Sequence, residues 1–306
     1  MKKQNLFSIG AMRAGSTSLY HYLSQHPDIF IPHVKEPGFF AAEKARKNVF
    51  KGCQSDGDLK KLNPSPNKGR YHTKEAYESL YFGKDEFEYW ADCSHYLNHP
   101  EVAELIYQYN PQAKILISLR DPTERIYSEY MLYARRGTVS ESFSDFVEKM
   151  LVKHSDGTVT IDEKSRLNKG LYHKLVSPWL SHFSDSQVKI VLIDDLKANT
   201  SAICQEIYAW LCVDETFKPE VVRTQRGGIP KSKVYLNAFN LSRFLPVSLK
   251  QKMPTSLRWK IRDLIYSKTL KKEIMSEQMR TCLKQLYYPS VCELEKIINR
   301  NLDAWK

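Results

Sequence analysis

The sequence predicts an α/β fold of three layers, in which a central, mostly parallel sheet is flanked by helices. Short apolar runs alternate along the chain with longer segments of helical periodicity. The apolar runs are continuous rather than alternating, so we expect them to be buried on both faces, as in a parallel sheet. The length of 306 residues suits one elaborated domain, and we expect a single domain over residues 1–306.

Three apolar runs predict strands of this sheet. They are bounded by polar or turn residues and span Leu6–Ile9, Ala113–Leu119 and Val188–Ile193. Helical patterns span Ser16–Gln25, Glu101–Tyr109, Pro122–Arg135, Leu167–Phe183, Thr200–Leu211 and Pro289–Asn299. Pro178 predicts a kink or an early break in the fourth of these helices.

Composition limits the classes of protein and of ligand. Apolar residues make up 42% of the chain, which is enough to form a core. The net charge of +11 suits an anionic ligand, a nucleic acid or a membrane surface. No motif typical of nucleic-acid binding accompanies the charge, so we expect a small polyanion or an anionic glycan and no nucleic acid.

The N-terminal segment and the cysteines bear on location. The apolar stretch Leu6–Met12 ends at Arg13, too short for a signal peptide or a membrane span. We therefore expect a cytoplasmic chain without a transmembrane segment. The six cysteines are far apart in the sequence, and we expect reduced thiols.

The segment FSIGAMRAGSTSLYHYL runs from a strand through a glycine-bearing loop directly into a helix. Gly10 and Gly15 relieve steric limits on the loop, and the first amides of the helix favour an anion. Ser16 and Thr17 add hydroxyl donors. This P-loop-like layout predicts a phosphate cradle, although an ordinary strand-to-helix connection has the same pattern.

Comparison with the nucleoside-triphosphate motif G-x-x-x-x-G-K-[ST] shows one change. Ser16 occupies the position of the lysine, and Arg13 supplies a cation within the loop. That lysine reaches the β- and γ-phosphates, so its absence argues against hydrolysis of ATP or GTP.

A second anion-binding segment is ISLRDPTERIYSEY, residues 117–130. Arg120 follows the second predicted strand, Asp121 is a suitable N-cap, and Pro122 suits the first helical position. Ligands bind at the carboxyl ends of strands in open parallel sheets, so Arg120 and Ser128 are candidates to bind one phosphate. The alternative is that Arg120 pairs with a nearby carboxylate. Two phosphate sites together predict a bisphosphate nucleotide.

These segments resemble the sulfotransferase family. GAMRAGSTSL is similar to the family's 5′-phosphosulfate loop, with Arg13 where many members have lysine, and ISLRDPTERIYSEY is similar to its 3′-phosphate segment. The resemblance implies that 3′-phosphoadenosine-5′-phosphosulfate (PAPS) is the cosubstrate and 3′-phosphoadenosine-5′-phosphate (PAP) the product. It further implies contacts to this nucleotide from Arg13, Ala14, Gly15, Ser16, Thr17, Arg120 and Ser128.

The segment HVKEPGFF, residues 33–40, resembles the Lys-Glu-x-x-Phe-Phe segment of heparan-sulfate-type sulfotransferases and implies that Glu36 is the general base. Because Glu36 precedes Pro37, we expect it in an extended loop, anchored by Phe39 and Phe40. A surface pair between Lys35 and Glu36 is the alternative. His95, in ADCSHYL, is a rival base, because its solution pKa suits proton removal.

Further along the chain, RTQRGGIPKSK, residues 223–233, resembles the mobile loop that closes over the donor. It implies that Arg226 and Lys231 contact the donor, with a solvated basic loop as the alternative. Two segments match the family weakly, at about 44–85 and 236–272, and we expect them to be excursions on the acceptor side.

The resemblance implies an enzyme that transfers a sulfuryl group from PAPS to a hydroxyl or amine of a small-molecule or glycan acceptor, and we expect a carbohydrate. Transfer would be in line, with Glu36 as base and Arg13 stabilising the departing phosphate. No metal-ligand cluster is evident in the sequence, and we expect no metal. A P-loop kinase and a non-catalytic polyanion-binding protein stay open as alternatives.

Overall fold

The computed structural model of the chain describes residues 4–41, 71, 73–221, 229–230, 270–271 and 274–306. The chain divides into two compact units. The first comprises residues 1–120, 172–221 and 296–299, and the second comprises residues 121–171, 222–295 and 300–306. The single domain expected over residues 1–306 stays a prediction.

Regular elements among the described residues are numbered in chain order. The strands are β1 (Gln4–Gly10), β2 (Ile29–Phe30), β3 (Tyr89–Asp92), β4 (Lys114–Leu119), β5 (Leu151–Lys153), β6 (Val159–Ile161), β7 (Val188–Leu192), β8 (Ile229–Pro230) and β9 (Leu270–Lys271). The α-helices are α1 (Ser16–Leu23), α2 (Lys74–Glu78), α3 (Val102–Tyr109), α4 (Pro122–Arg136), α5 (Phe143–Glu148), α6 (Tyr172–His182), α7 (Ile193–Ala198), α8 (Thr200–Leu211) and α9 (Glu277–Ile298). Short 3₁₀ turns span Ser79–Tyr81, Tyr96–Asn98, Asn168–Gly170 and Asp303–Trp305.

The first unit contains a five-stranded sheet with the order β2-β3-β1-β4-β7. All four neighbouring pairs are parallel, which confirms the predicted α/β class with a parallel sheet and flanking helices. The register pairs Phe7 with Asp92, and Gly10 with Ile117. The carboxyl ends of these strands therefore lie along one edge of the sheet. The three predicted strands are confirmed, with the third ending at Leu192 because Ile193 begins α7.

Helices α1 and α8 pack into the core of the first unit. Leu19 and Leu23 of α1 and Ile207 and Leu211 of α8 are at most 1% exposed and belong to one apolar cluster. Full burial of such a side chain contributes roughly 1.5–3 kcal/mol, so this packing fixes α1 and the loop before it. The predicted bounds of α8 are confirmed; the Asn199 side chain caps the helix by accepting from the Ala202 amide.

The helix expected over residues 167–183 differs from the structure. A 3₁₀ turn over Asn168–Gly170 comes first, and α6 then runs through Pro178 to His182, so the early break, one of the two effects expected of this proline, does not occur. Proline removes one helical hydrogen bond. Trp179, the next residue, is fully buried. Packing of this side of α6 offsets the missing bond, a tertiary effect that local sequence does not reveal.

The second unit contains α4 and most of α9. Helix α4 confirms the prediction, and Asp121 caps it by accepting from the amides of Thr123 and Glu124 at 2.7 and 3.4 Å. The helix expected over residues 289–299 is wrong at its start, because α9 begins at Glu277 and continues through Pro289. A stripe of buried side chains runs along α9 on both sides of that proline: Leu283, Tyr287, Val291 and Leu294.

Three further expectations concern membrane spans, the cysteines and the two acceptor-side excursions. None of the helices in the described ranges is both long enough and apolar enough to cross a membrane. Cys93, Cys204, Cys212, Cys282 and Cys292 are free thiols, as expected, whereas Cys53 lies outside the described residues. Most of the excursion expected at 44–85, and all of that at 236–272 except residues 270–271, also lies outside them.

Gly15 allows a stability test of the link between β1 and α1. Its φ is +85°, and a Cβ at this position would overlap Cδ1 of Ile193. Gly83 has a similar φ of +67° but nothing within 4 Å of such a Cβ. We expect Gly83→Ala to lose roughly 1 kcal/mol of unfolding free energy through backbone strain alone. Gly15→Ala should lose roughly 1–3 kcal/mol more through overpacking.

Chemical denaturation of both variants measures the difference. The double variant Gly15→Ala, Ile193→Ala should recover the excess loss relative to Ile193→Ala alone. Equal losses for Gly15→Ala and Gly83→Ala would show that Ile193 does not pack against this loop.

Candidate active site

Site residues of the first unit follow the carboxyl ends of its parallel strands. The loop from Gly10 to α1 follows β1, Arg120 follows β4, and His95 lies three residues beyond the end of β3. Lys35 and Glu36 lie in the loop after β2. Parallel pairing brings these loops to one edge of the sheet, where open α/β sheets bind ligands.

The loop after β1 is folded back on itself. The Ala11 amide donates to the Ser118 carbonyl of β4 at 2.6 Å, and the Ala14 amide donates to the Ala11 carbonyl at 3.2 Å. Gly10 and Arg13 both have positive φ, +97° and +70°. Glycine tolerates that conformation, but arginine adopts it at a cost and needs the surrounding contacts to hold it. The loop thus keeps Arg13 in an uncommon backbone geometry.

Helix α1 begins at Ser16, with Gly15 as a left-handed N-cap that has no side chain to bond the first helical amides. The first amides of a helix lack intrahelical partners, and the positive end of the helix dipole attracts anions. Ser16 and Thr17 lie in this first turn. The loop and the helix start therefore have the chemistry of a phosphate cradle.

Arg120 reaches this loop from β4. Its Nη1 lies 3.5 Å from the Arg13 carbonyl oxygen, at the long limit of a hydrogen bond. The two predicted cations of the donor site are therefore connected. Ser128 lies half-buried in α4 of the second unit, and its phosphate contact stays a prediction. Arg226 and Lys231 lie outside the described residues.

Glu36 has a backbone conformation that the sequence did not predict. Its φ is +60°, in the left-handed region, so the extended conformation expected before Pro37 is wrong. Gly38 also has a positive φ of +68°, and the chain therefore turns sharply across these three residues. A left-handed non-glycine residue is uncommon and, where it occurs, often belongs to a functional site.

The carboxylate of Glu36 contacts two basic side chains through the same oxygen. Its Oε1 lies 3.3 Å from Nε2 of His95 and 3.6 Å from Nζ of Lys35. Burial would raise the pKa of Glu36, but the hydrogen bond and charge of His95, with those of Lys35, outweigh burial and lower the pKa to about 2. Glu36 is therefore ionised at neutral pH. The two bases that the sequence offered as rivals form one pair.

His95 fits against the loop after β1. Its Nδ1 is buried, and among the described residues it has no hydrogen-bond partner. A Cβ at Gly10 would lie 3.0 Å from this nitrogen, closer than side-chain packing normally allows. Position 10 therefore favours glycine for two reasons: the positive φ of the turn and the close approach of His95.

Lys35 is a site residue that the sequence analysis did not identify. Its Nζ donates to Thr17 Oγ1 at 3.0 Å and lies 5.8 Å from the ring centroid of Tyr20. It therefore joins the Glu36 loop to the first turn of α1. The signal in the sequence was its position beside Glu36, which equally fits an exposed surface pair.

Cysteine and potential metal-ligating side chains are also present among the described residues. Burial, with the nearby charge of Asp92, raises the pKa of the Cys93 thiol well above its usual range, so this cysteine is a poor nucleophile. Within the described ranges, no group of three or more histidine, cysteine and acidic side chains is arranged to hold a metal ion.

Comparisons with known proteins identify the family of this chain. The model of the sulfotransferase family matches residues 5–217. Carbohydrate sulfotransferase 15 of Rattus norvegicus is 24% identical over 248 residues, covering 68% of this chain and 43% of that protein. Bifunctional heparan sulfate N-deacetylase/N-sulfotransferase 1 of Caenorhabditis briggsae is 25% identical over 219 residues, covering 69% of this chain and 23% of that protein. The chain thus spans less than half the length of both curated relatives.

A solved structure extends the similarity to the whole chain. The sulfotransferase from Alicyclobacillus acidocaldarius is 25% identical, with a TM-score of 0.67 over 100% of this chain and 99% of that one. The family match runs through all five strands of the parallel sheet and through the loops that hold Arg13, Glu36, His95 and Arg120. This chain belongs to the sulfotransferase family.

Proposed function

We propose that the chain transfers the sulfuryl group of PAPS to a hydroxyl or amine of a carbohydrate acceptor, with Glu36 as the general base. The observation that carries the proposal is the contact chain from the first turn of α1 to His95. Thr17 accepts from Lys35, Lys35 pairs with Glu36, and Glu36 pairs with His95. A proton acceptor is thereby tied to a phosphate cradle.

The donor site consists of two parts. The loop around Arg13, with the amides and hydroxyls of Ser16 and Thr17, suits the 5′-phosphosulfate, because its donors and its helix dipole favour an anion. Arg120, at the carboxyl end of β4, would bind the 3′-phosphate. Contacts to the donor from Ser128, Arg226 and Lys231 remain predictions from the sequence. PAPS supplies an activated sulfuryl group bonded through oxygen to the 5′-phosphate.

The transfer step needs a proton acceptor and a stabilised leaving group. The acceptor oxygen or nitrogen forms a bond to sulfur while its proton passes to the Glu36 carboxylate. The bond between sulfur and the 5′-phosphate oxygen breaks, and its electron pair stays on that oxygen. Arg13 stabilises the negative charge that develops there. No covalent enzyme intermediate is needed.

The contacts of Glu36 also set its strength as a base. A carboxylate with a pKa of about 2 is a weak base while both His95 and Lys35 contact it. An acceptor hydroxyl that displaces either His95 or Lys35 from Oε1 would raise the pKa of Glu36 toward its ordinary value. Proton transfer would then become more favourable once the acceptor is in place.

A carbohydrate acceptor is supported by the relatives and by charge. The curated relatives are named for carbohydrate and heparan sulfate substrates. The net charge of +11, with Lys35, Arg13 and Arg120 at one edge of the sheet, favours an anionic glycan. A kinase is less favoured, because Ser16 replaces the lysine that reaches the β- and γ-phosphates.

The donor assignment predicts binding without metal. We expect PAP to bind in the presence of a chelator and more tightly than ATP, because the site offers separate 5′ and 3′ phosphate positions. Arg120→Ala should weaken PAP roughly 10- to 150-fold, the value of a hydrogen bond to a charged group. The same variant should leave adenosine 5′-phosphosulfate, which lacks the 3′-phosphate, nearly unaffected.

Isothermal titration calorimetry of the three nucleotides measures these affinities. Lys114→Ala is the matched control, because it removes a cation from the same strand about 20 Å away, at the opposite end. ATP binding as tightly as PAP, or equal losses of PAP and adenosine 5′-phosphosulfate affinity in Arg120→Ala, would contradict the assignment.

The base assignment predicts a loss in rate without a loss in donor binding. Glu36→Gln preserves shape but removes the proton acceptor, so kcat should fall by roughly 10² to 10⁴. The Kd for PAP should stay within about threefold, since a base that acts on the acceptor contributes little to donor binding. His95→Ala should slow the reaction less.

Steady-state sulfate transfer and calorimetry on the same preparations test this prediction. Glu101→Gln is the control, because its carboxylate pairs with His99 at 3.7 Å on the surface, and turnover should be unchanged. Near-full turnover in Glu36→Gln together with loss of activity in His95→Ala would assign the base to His95.

A further inference from the structure

A second carboxylate, Asp92, lies beneath the Glu36 loop and has no part in the proposed chemistry. It is the last residue of β3 and is 1% exposed. Three hydroxyls donate to it: Ser94 at 2.5 Å to Oδ1, and Tyr96 and Tyr77 at 2.8 and 3.1 Å to Oδ2. Burial raises the pKa of the Asp92 carboxyl to about 6, although these hydrogen bonds oppose the shift. A buried carboxylate with this many donors is a costly feature that packing alone does not need.

Ser94 connects Asp92 to the backbone of the Glu36 loop. Its Oγ also accepts a hydrogen bond from the Gly38 amide at 3.1 Å. A serine hydroxyl has one hydrogen, which here points to Asp92, so its lone pairs face the Gly38 amide. Asp92 therefore fixes the orientation in which Ser94 can hold the loop.

The bond at Gly38 holds a turn that strains its backbone. Glu36 and Gly38 both have φ in the left-handed region, and for glutamate this conformation costs about 1–2 kcal/mol. Such a turn persists only where its surroundings hold it in place. The Ser94 hydroxyl is one such contact, two residues from the proposed base.

Tyr77 and Tyr96, which donate to Asp92, also hold the loop of Glu36 through ring contacts. Tyr77 stacks on Phe39 with ring centroids 4.8 Å apart and meets Phe40 edge-on at 5.6 Å. Tyr96 meets Phe40 edge-on at 5.9 Å. Phe39 and Phe40 follow directly after the strained turn, which confirms that they anchor this loop.

His95 is held by the same group of residues. It lies in the chain between Ser94 and Tyr96, and both neighbours donate to Asp92. One buried carboxylate thus contacts the chain on either side of His95 and, through Ser94, the turn that holds Glu36. The 3.3 Å contact between Glu36 and His95 depends on both of these segments.

We propose that Asp92 is a positioning residue, which acts through Ser94 to hold Glu36 and His95 in the geometry that proton transfer requires. This inference rests on the proposed function, in which Glu36 is the base. Asp92 is 1% exposed, so it would act through its neighbours and not by contact with donor or acceptor. Its loss should lower kcat and leave donor affinity unchanged. A merely structural role would lower stability without separating kcat from donor affinity in this way.

Ser94→Ala is the main test, because it cuts the link to Gly38 and leaves the bonds from Tyr77 and Tyr96 to Asp92. A displacement of about 1 Å in a reacting group can cost roughly 100-fold in rate, so we expect kcat to fall 10- to 100-fold. The Kd for PAP should stay within about twofold, since Ser94 is not part of the donor site. Ser94→Thr, which retains the hydroxyl, should restore kcat to within about threefold of the wild type.

Two further variants make the test specific. Asp92→Asn replaces an acceptor of three hydrogen bonds by an amide, and we expect it to lower both kcat and the melting temperature. Tyr89→Phe is the control, because it removes a buried tyrosine hydroxyl of the same strand, β3, which donates to the Leu211 carbonyl at 2.9 Å and not to Asp92. Its kcat should match the wild type.

The results for these variants distinguish a failure of the positioning role of Asp92 from a failure of Glu36 as the proposed base. Wild-type kcat in Ser94→Ala, with Glu36→Gln slow, would overturn the role of Asp92 and leave the proposed base intact. An equal fall in kcat for Tyr89→Phe and Ser94→Ala would also overturn it, because the loss of any buried hydroxyl on or near β3 would then suffice. Full turnover in Glu36→Gln would overturn the base assignment and, with it, the positioning role.

Discussion

Parallel hydrogen bonding forces β2, β3, β1 and β4 to end along one edge of the sheet, and the site of the first unit follows from that constraint. Each of these strands leads into a different loop, and each loop contributes charged or hydroxyl side chains. The contacts among Thr17, Lys35, Glu36 and His95 join the first turn of α1 to the loops after β2 and β3. Register between the strands therefore determines which charges meet.

Backbone strain and buried polar contacts have complementary roles at this edge. Arg13 and Glu36 are both held at positive φ, a conformation that a free loop would relax. The loop of Arg13 is tied to β4 through the Ala11 amide, and the loop of Glu36 is tied to Ser94 through the Gly38 amide. Rigid backbone geometry of this kind gives the charged side chains a fixed direction before substrates bind, which lowers the cost of orientation.

Local sequence predicted those parts of the fold whose signals are local. Continuous apolar runs gave the three strands, and Asp121 with Pro122 gave the start of α4. The helices through Pro178 and Pro289 could not be predicted in this way. There, burial of side chains against distant parts of the chain outweighs the missing amide hydrogen bond.

In the candidate site too, local sequence predicted some features and contacts between distant residues determine the others. Arg13, Arg120, Glu36 and His95 were predicted from motifs, because each lies in a recognisable segment. The left-handed turn at Glu36 could not be predicted, since the bond that holds it joins Gly38 to Ser94, 56 residues away. Lys35 was missed for the same reason: its contact with Thr17 spans 18 residues. Contacts between loops require the strand order, which local pattern does not supply.

The central claim is that this edge of the sheet transfers sulfate, and transfer of labelled sulfate from PAPS to a panel of acceptors tests it most directly. The panel should contain heparan- and chondroitin-type glycans, neutral sugars and simple phenols, with the chelator present and with labelled ATP as a parallel donor. We predict label from PAPS on a glycan, equimolar release of PAP, and no transfer of phosphate from ATP. Tight binding of PAP without transfer to any acceptor, or transfer of phosphate from ATP, would contradict the account.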